Sequence, residues 1–195
     1  MKKHGITRKF IHTRNNRGLT LVETLVAISI LIVAVVMSLS VYADNIAKAQ
    51  ISRDRSIATY LAEEGIELVR MVAYSDMNKG NEPTISLNQC QNANGCQVAD
   101  THWEGVIMFK NCPGGGACDP LKMNTNVDST SYGVYGHTPD AVDWKDTPFT
   151  RKILVSNNSG ADDFEQTVTS TVTWDYRGTT QTVSLKTYLY NYLNN

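Results

Sequence analysis

The sequence predicts an α+β fold: one long N-terminal helix, transmembrane in its first half and amphipathic in its second, packed on an antiparallel β-sheet. Three observations carry this. Residues 24–43 are 20 in a row without a charge, mostly Leu, Ile, Val and Ala. No Pro precedes Pro83, and Gly65 is the sole Gly between Gly18 and Gly80, so nothing breaks a helix running on to about residue 74. Residues 166–190 alternate β-branched and polar side chains around a Tyr-Arg-Gly turn. Four segments follow: a basic leader over 1–18, the membrane half of the helix over 19–45, its amphipathic half over 46–76, and an exported β-rich domain over 77–195.

The leader comes first. Six of the 18 basic residues (Lys2, Lys3, Arg8, Lys9, Arg14 and Arg17) lie in it without an acid, leaving 12 bases against 19 acids in the rest. An acidic body lacks the basic patch that phosphate binding needs, so no nucleic-acid partner is expected. A helix of about 20 residues spans the ~30 Å core of a bilayer. Basic flanks stay in the cytoplasm, which sends everything after about Asp44 across the membrane. A secretory signal has a shorter apolar run followed by a small-residue cleavage site. Here the small residue, Gly18, stands before the run.

In the second half of the helix the pattern becomes amphipathic. Ile57, Leu61, Gly65, Leu68 and Val72 follow helical steps, with Ala58, Ala62, Ile66, Val69 and Ala73 beside them. This broad stripe is expected to bury against a domain. Arg53, Asp54, Arg55, Glu63, Glu64, Glu67 and Arg70 occupy the other face, with Glu67 and Arg70 one turn apart.

After Asp76 the chain turns polar and rich in Asn, Gly and Pro. Segments 103–110 and 131–136 are strand candidates among the cysteine loops CQNANGC and CPGGGAC. Cys90, Cys96, Cys112 and Cys118 all fall in the exported part, where an even count favours disulfides. Of the three possible pairings, Cys90 with Cys96 and Cys112 with Cys118 is favoured, because each loop is short and rich in Gly or Asn. Zinc is the rival reading, but its usual cysteine spacings and partner ligands are missing, so no metal and no cofactor are expected. Strands are expected over 149–156, 166–175 and 180–190, the last two forming a hairpin with Val183, Leu185, Thr187 and Leu189 on one face. The dry face of that sheet needs a cover, and the helix over 46–74 is the long element that can supply it.

Catalytic chemistry finds little support. CPGGGAC lacks the Gly-Lys-Ser/Thr ending of a phosphate loop. Asp140, Asp143 and Asp146 do not have EF-hand spacing and read as a solvated acidic loop. His102 and His137 stand in no nucleophile or zinc-protease setting, so no catalytic residue is assigned. Asn157, Asn158 and Ser159 fit a glycan acceptor, a pattern common by chance. Trp103, Trp144 and Trp174 are expected to fill the core between helix and sheet.

Glu23 is the residue that apolarity alone does not explain. Thr20 and Glu23 fit a capping box, and a carboxylate suits the positive end of a helix dipole. The wider context, RGLTLVETLVA at 17–27 running into the uncharged stretch, resembles the N-terminus of type IV pilins and of the related pseudopilins of type II secretion. The resemblance is specific over 17–41 and looser to about residue 72. YLAEEGIELVR at 60–70 and TVTWDYRGTTQTVSLKTYLYN at 171–191 look most like a minor pilin.

The resemblance implies a pilin-like fold and a structural role. A membrane peptidase that is also an N-methyltransferase would cut after Gly18 and methylate Leu19. Glu23, fifth in the mature chain, would pair with the new amine of a neighbouring subunit. The implied partners are other pilin subunits, the prepilin peptidase, an inner-membrane assembly platform and, before assembly, membrane lipid. The implied location is a single-pass inner-membrane protein, then an extracellular or periplasmic filament. Two departures stand out: Leu19 replaces the commoner Phe, and the helix lacks the Pro that many major pilins carry where this chain has Met37 to Ser40. Two readings compete with the pilus subunit: a pseudopilin of a secretion system, and an uncleaved membrane-anchored binding protein. A tethered enzyme is a third, without a catalytic constellation behind it.

Overall fold

The computed structural model describes residues 20–83, 85–99, 107–113, 117–137, 143–157 and 165–190. Helix α1 runs over Leu21–Asn78 without a break, two residues beyond the expected end. It stops where Gly80 adopts a φ of +77° and the Asn81 amide donates back to the Asp76 carbonyl at 3.0 Å. A Gly in the left-handed region is a common way to close a helix. The Asp76 carboxylate is buried and accepts from the Ser86 amide at 3.1 Å and the Ser86 hydroxyl at 2.9 Å, tying the next segment to the helix end.

The chain divides into two compact units, Met1–Lys48 and Ala49–Asn195. In the first, every large apolar side chain between Leu21 and Tyr42 is at least 49% exposed. The described part of this unit therefore contains nothing that covers its own apolar surface. Two of its serines are bonded within the helix: Ser29 donates to the Leu25 carbonyl and Ser38 to the Ala34 carbonyl, each at 2.8 Å.

In the second unit α1 buries Ala58, Leu61, Ala62, Gly65, Ile66, Val69, Val72 and Ala73, the stripe read from the sequence, while Ile57 and Leu68 are half-buried at its flanks. The stripe faces an antiparallel sheet of seven strands among the described residues. A 3-10 helix (Ile85–Cys90) leads to β1 (Cys96–Val98), β2 (Phe109–Asn111), β3 (Pro120–Asn124) and β4 (Tyr135–Gly136). Then come β5 (Trp144–Asn157), β6 (Glu165–Tyr176) and β7 (Thr179–Tyr190).

Strand β5 organises the sheet. One edge pairs with β6 from Thr150 to Asn157, and β7 pairs with β6 in turn. The other edge is shared by β3, paired near Trp144 and Thr150, and β1, paired at Ile153. Pro148 sits inside β5, which a ladder strand normally forbids. It is tolerated because the β3 pairing shifts register between Pro120 and Lys122, and the β6 pairing starts only at Thr150. Residues 177 and 178 turn the β6–β7 hairpin with φ values of 54° and 78°, the double positive φ of a type I′ turn.

The structure corrects several boundaries. The strand expected over 149–156 starts five residues earlier, at Trp144. Of the candidate over 103–110, residues 101–106 lie outside the described set, and the strand found is Phe109–Asn111. Of 131–136, the first three residues form a turn and only Tyr135–Gly136 pairs. Trp174 packs in the core against Phe149 with ring centroids 6.0 Å apart, whereas Trp144 is only half-buried and Trp103 lies outside the described residues.

The core has two apolar clusters. One gathers Val69, Val72, Leu87, Phe109, Ile153, Val155 and Val168 around the Cys90–Cys96 bridge, and the other joins Ala58, Leu61, Ala62, Leu121, Phe149, Val172 and Trp174. Between them runs a polar seam where α1 comes closest to the sheet. A Cβ on Gly65 would stand 2.6 Å from the Ser170 hydroxyl and 3.0 Å from Arg151 Cδ. Arg151 is 2% exposed and donates to the Leu61 carbonyl at 3.1 Å and to the Glu64 carboxylate at 2.8 Å.

Both disulfides pair near neighbours: Cys90–Cys96 closes the 3-10 helix onto β1, and Cys112–Cys118 links the end of β2 to the approach to β3. Strand β1 has only three residues, so a covalent tether supplies what its ladder cannot. Replacing Cys90 and Cys96 together by Ser is expected to destabilise the domain by about 2–3 kcal/mol, from the loss of a short closed loop. The check is a lower urea midpoint for the full-length chain in detergent.

Candidate functional site: the first turn of the long helix

Residues Thr20 to Thr24 form the described part of the site. The Glu23 amide donates to the Thr20 hydroxyl at 3.3 Å, and the Thr24 amide to the Thr20 carbonyl at 3.2 Å. Thr20 is thus the cap of α1. The Thr24 hydroxyl turns back to the Leu21 carbonyl at 2.8 Å. Gly18 and Leu19, the residues expected to flank the cut, lie outside the described residues.

A full capping box would return the Glu23 carboxylate to the Thr20 amide. That half is not made, and the exposed Glu23 side chain has no hydrogen bond or ion pair with another described residue. The cap therefore uses the backbone of Glu23 and leaves its carboxylate without a partner among the described residues. The helix dipole favours an anion in this first turn, worth about 0.3–1 kcal/mol when exposed. A carboxylate carried into hydrocarbon costs more, on the order of 2.5–3.5 kcal/mol at the bilayer centre and less near its edge. A cation brought alongside offsets that cost.

The other sequence candidates fall elsewhere. Cys90, Cys96, Cys112 and Cys118 are all disulfide-bonded and buried, far in sequence from Glu23. The Asp143 carboxylate accepts from the Asn126 amide group at 2.9 Å, and Asp146 lies 3.9 Å from the Lys122 ammonium; Asp140 and His102 lie outside the described residues, as does Asn158 with Ser159. Among the described residues no three His, Cys, Asp or Glu side chains gather as a metal site would require.

His137 and Asp119 were not read as a pair from the sequence. His137 Nε2 lies 3.2 Å from the Asp119 carbonyl. The Asp119 carboxyl is held below its usual value, first by the hydrogen bond from Gln97 and then by Lys110. Burial lowers the His137 pKa from its usual 6.5, outweighing that carbonyl contact. The fold thus prefers the neutral ring: His137 contributes stability above pH 6.5 that is lost as the pH falls through its lower folded value. His137→Gln is expected to flatten the fall in Tm between about pH 7 and pH 5. A thermal-melt series across that range checks it.

The prokaryotic N-terminal methylation motif matches residues 13–39, which bracket Gly18, Leu19, Glu23 and the start of the exposed apolar run. Neither a curated protein nor a solved structure matches the chain. The uncovered apolar helix and the motif together fit a membrane-anchored protein.

Proposed function

Because the chain belongs to the type IV pilin and pseudopilin family by that motif, we propose that it is a minor subunit of a type IV pilus, structural rather than catalytic. Prepilin peptidase removes residues 1–18 after Gly18, and Leu19 becomes the methylated amino terminus. The domain after about Asp44 is exported, and the assembly platform moves the apolar helix from lipid into a filament of pilin subunits. Glu23 of an incoming subunit then meets the new amine of a neighbour. The pairing matches two charges that hydrocarbon penalises, and it fixes an axial register that apolar helices alone leave loose.

The observation that carries this reading is the Glu23 carboxylate, without a partner among the described residues, at the head of an apolar surface that none of them covers. The helix also stays unbroken across Met37 to Ser40, which supports a minor subunit or a secretion pseudopilin over a major pilin. Mass spectrometry of the accumulated protein is expected to find a chain that starts at a methylated Leu19. A retained Met1 leader overturns the reading in favour of a permanently anchored protein. Counting copies in purified filaments separates the two close variants: a few per surface pilus fits the minor subunit, and confinement to a periplasmic secretion filament fits the pseudopilin.

A further inference from the structure

Glu67, Arg70 and Tyr74 follow one another at steps of three and four, so they share one flank of α1. Next to that flank lies β7, which pairs with β6 and leaves its other edge open among the described residues. A cleft of about 330 Å³ is lined by these three residues and by the end of β7. Its size falls at the small end of the usual range for ligand sites, roughly 300–1,000 Å³. Because β7 is an edge strand, Tyr188 and Tyr190 line the cleft together with the buried Leu189 between them. Tyr74, Tyr188 and Tyr190 are 61%, 51% and 46% exposed.

Arg70 is held from both sides. Its Nη1 donates to Glu67 Oε1 at 2.6 Å, and its Nη2 donates to the Thr187 hydroxyl at 2.8 Å, which clamps the guanidinium between helix and strand. The second oxygen of Glu67 has no partner among the described residues. The cleft thus sets a planar donor and an acceptor side by side, already ordered, next to three tyrosine rings. Tyrosine supplies a large, rigid contact at low entropic cost.

We propose that this cleft binds a neutral saccharide, one or two pyranose rings at the end of a glycan chain. A sugar hydroxyl both donates and accepts, so neighbouring hydroxyls suit Arg70 and Glu67 together. The C–H faces of a pyranose are apolar and pack on aromatic rings, while the tyrosine hydroxyls stay available to polar partners. Charge argues against other small ligands. An anion drawn to Arg70 meets Glu67 beside it, and a cation drawn to Glu67 meets Arg70, so the pair selects against both. A wholly apolar ligand would strip water from the ion pair and return no hydrogen bond. The inference stands apart from the filament reading, since one chain forms the whole cleft.

The test is saturation-transfer NMR and titration of lactose, maltose and N,N′-diacetylchitobiose with the full-length chain, in a detergent without a sugar headgroup. At least one disaccharide is expected to receive saturation on its ring C–H protons. Tyr74→Ala and Tyr188→Ala are each expected to raise its Kd about tenfold with Tm unchanged, since both rings are more than half exposed. Arg70→Lys keeps the charge but loses the planar fork, and is expected to weaken binding about fivefold. Glucuronic acid and glucosamine, charged in opposite senses, are expected to compete more weakly than glucose. Absence of transfer to all three disaccharides overturns the proposal, as does transfer that survives both tyrosine truncations. Tighter binding of either charged sugar also overturns it. Saturation of decaproline in place of the sugars assigns the cleft to a proline-rich peptide and overturns it too. None of these outcomes bears on the cut after Gly18, which the mass of the mature chain reports separately.

Discussion

Replacing Glu23 by Ala is expected to leave the cut after Gly18 intact and to lower incorporation into filaments at least tenfold. The proposed cut falls before the helix, and Thr20 still caps the first turn through the residue-23 amide, which Ala retains. What Ala loses is the carboxylate, and with it the proposed partner for a neighbour's amine. Removing one member of a buried ion pair typically costs about 3–5 kcal/mol, and tenfold corresponds to only about 1.4 kcal/mol. Glu23→Gln keeps the shape and a hydrogen-bond acceptor without the charge, so it should fall between. The readout is the fraction of mature chain that sediments with sheared filaments. A Glu23→Ala chain that enters filaments as well as wild type would refute the pairing, even with the leader correctly removed.

The second large effect lies in the polar seam of the domain, and it is asymmetric. Arg151 is 2% exposed, whereas the Glu64 side chain that binds it is 41% exposed. Glu64→Ala leaves a guanidinium buried with only the Leu61 carbonyl to satisfy it, an expected loss of about 3 kcal/mol. Arg151→Met removes the buried charge, fills similar space, and leaves a glutamate that water can reach. Its expected cost is below about 1.5 kcal/mol. In a chain of this size about 3 kcal/mol lowers Tm by roughly 6–12 °C, well separated from the Met variant. Thermal melts of both variants in detergent decide the matter. Equal losses would mean that packing of the arginine stem, rather than its charge, holds the seam.

That arginine also marks where sequence and structure part. The stretch FTRKILVS reads as a strand, yet a charged residue in it suggests the wet face. Parity was the available signal: Arg151 shares its side of β5 with Phe149, Ile153 and Val155, all buried. The helical stripe from Ala58 to Ala73 was legible because its 3.6-residue period runs over several turns without a polar interruption. The β6–β7 hairpin was legible because its alternation is long and its turn residues specific. Strands β1 and β3 carried no such pattern. Three to five residues give a period-two signal no room, and both strands are held by side-chain bonds and cross-links instead. The buried Gln97, which accepts from the Asp119 amide at 2.6 Å and donates to its carboxylate, ties β1 to the start of β3. Of the candidate site, Glu23 and its cap were readable from spacing. The freedom of the carboxylate was not, because a capping-box pattern does not say whether its second bond forms.

The back-bonded serines of the apolar half carry a consequence for how that half changes surroundings. Because the hydroxyl protons of Ser29 and Ser38 are already engaged with the turn beneath them, neither side chain demands an acceptor from acyl chains or from another protein. At those two positions the rod can trade a fluid solvent for a solid one without a polar contact being undone on the way. The carboxylate at its head, by contrast, does notice the exchange.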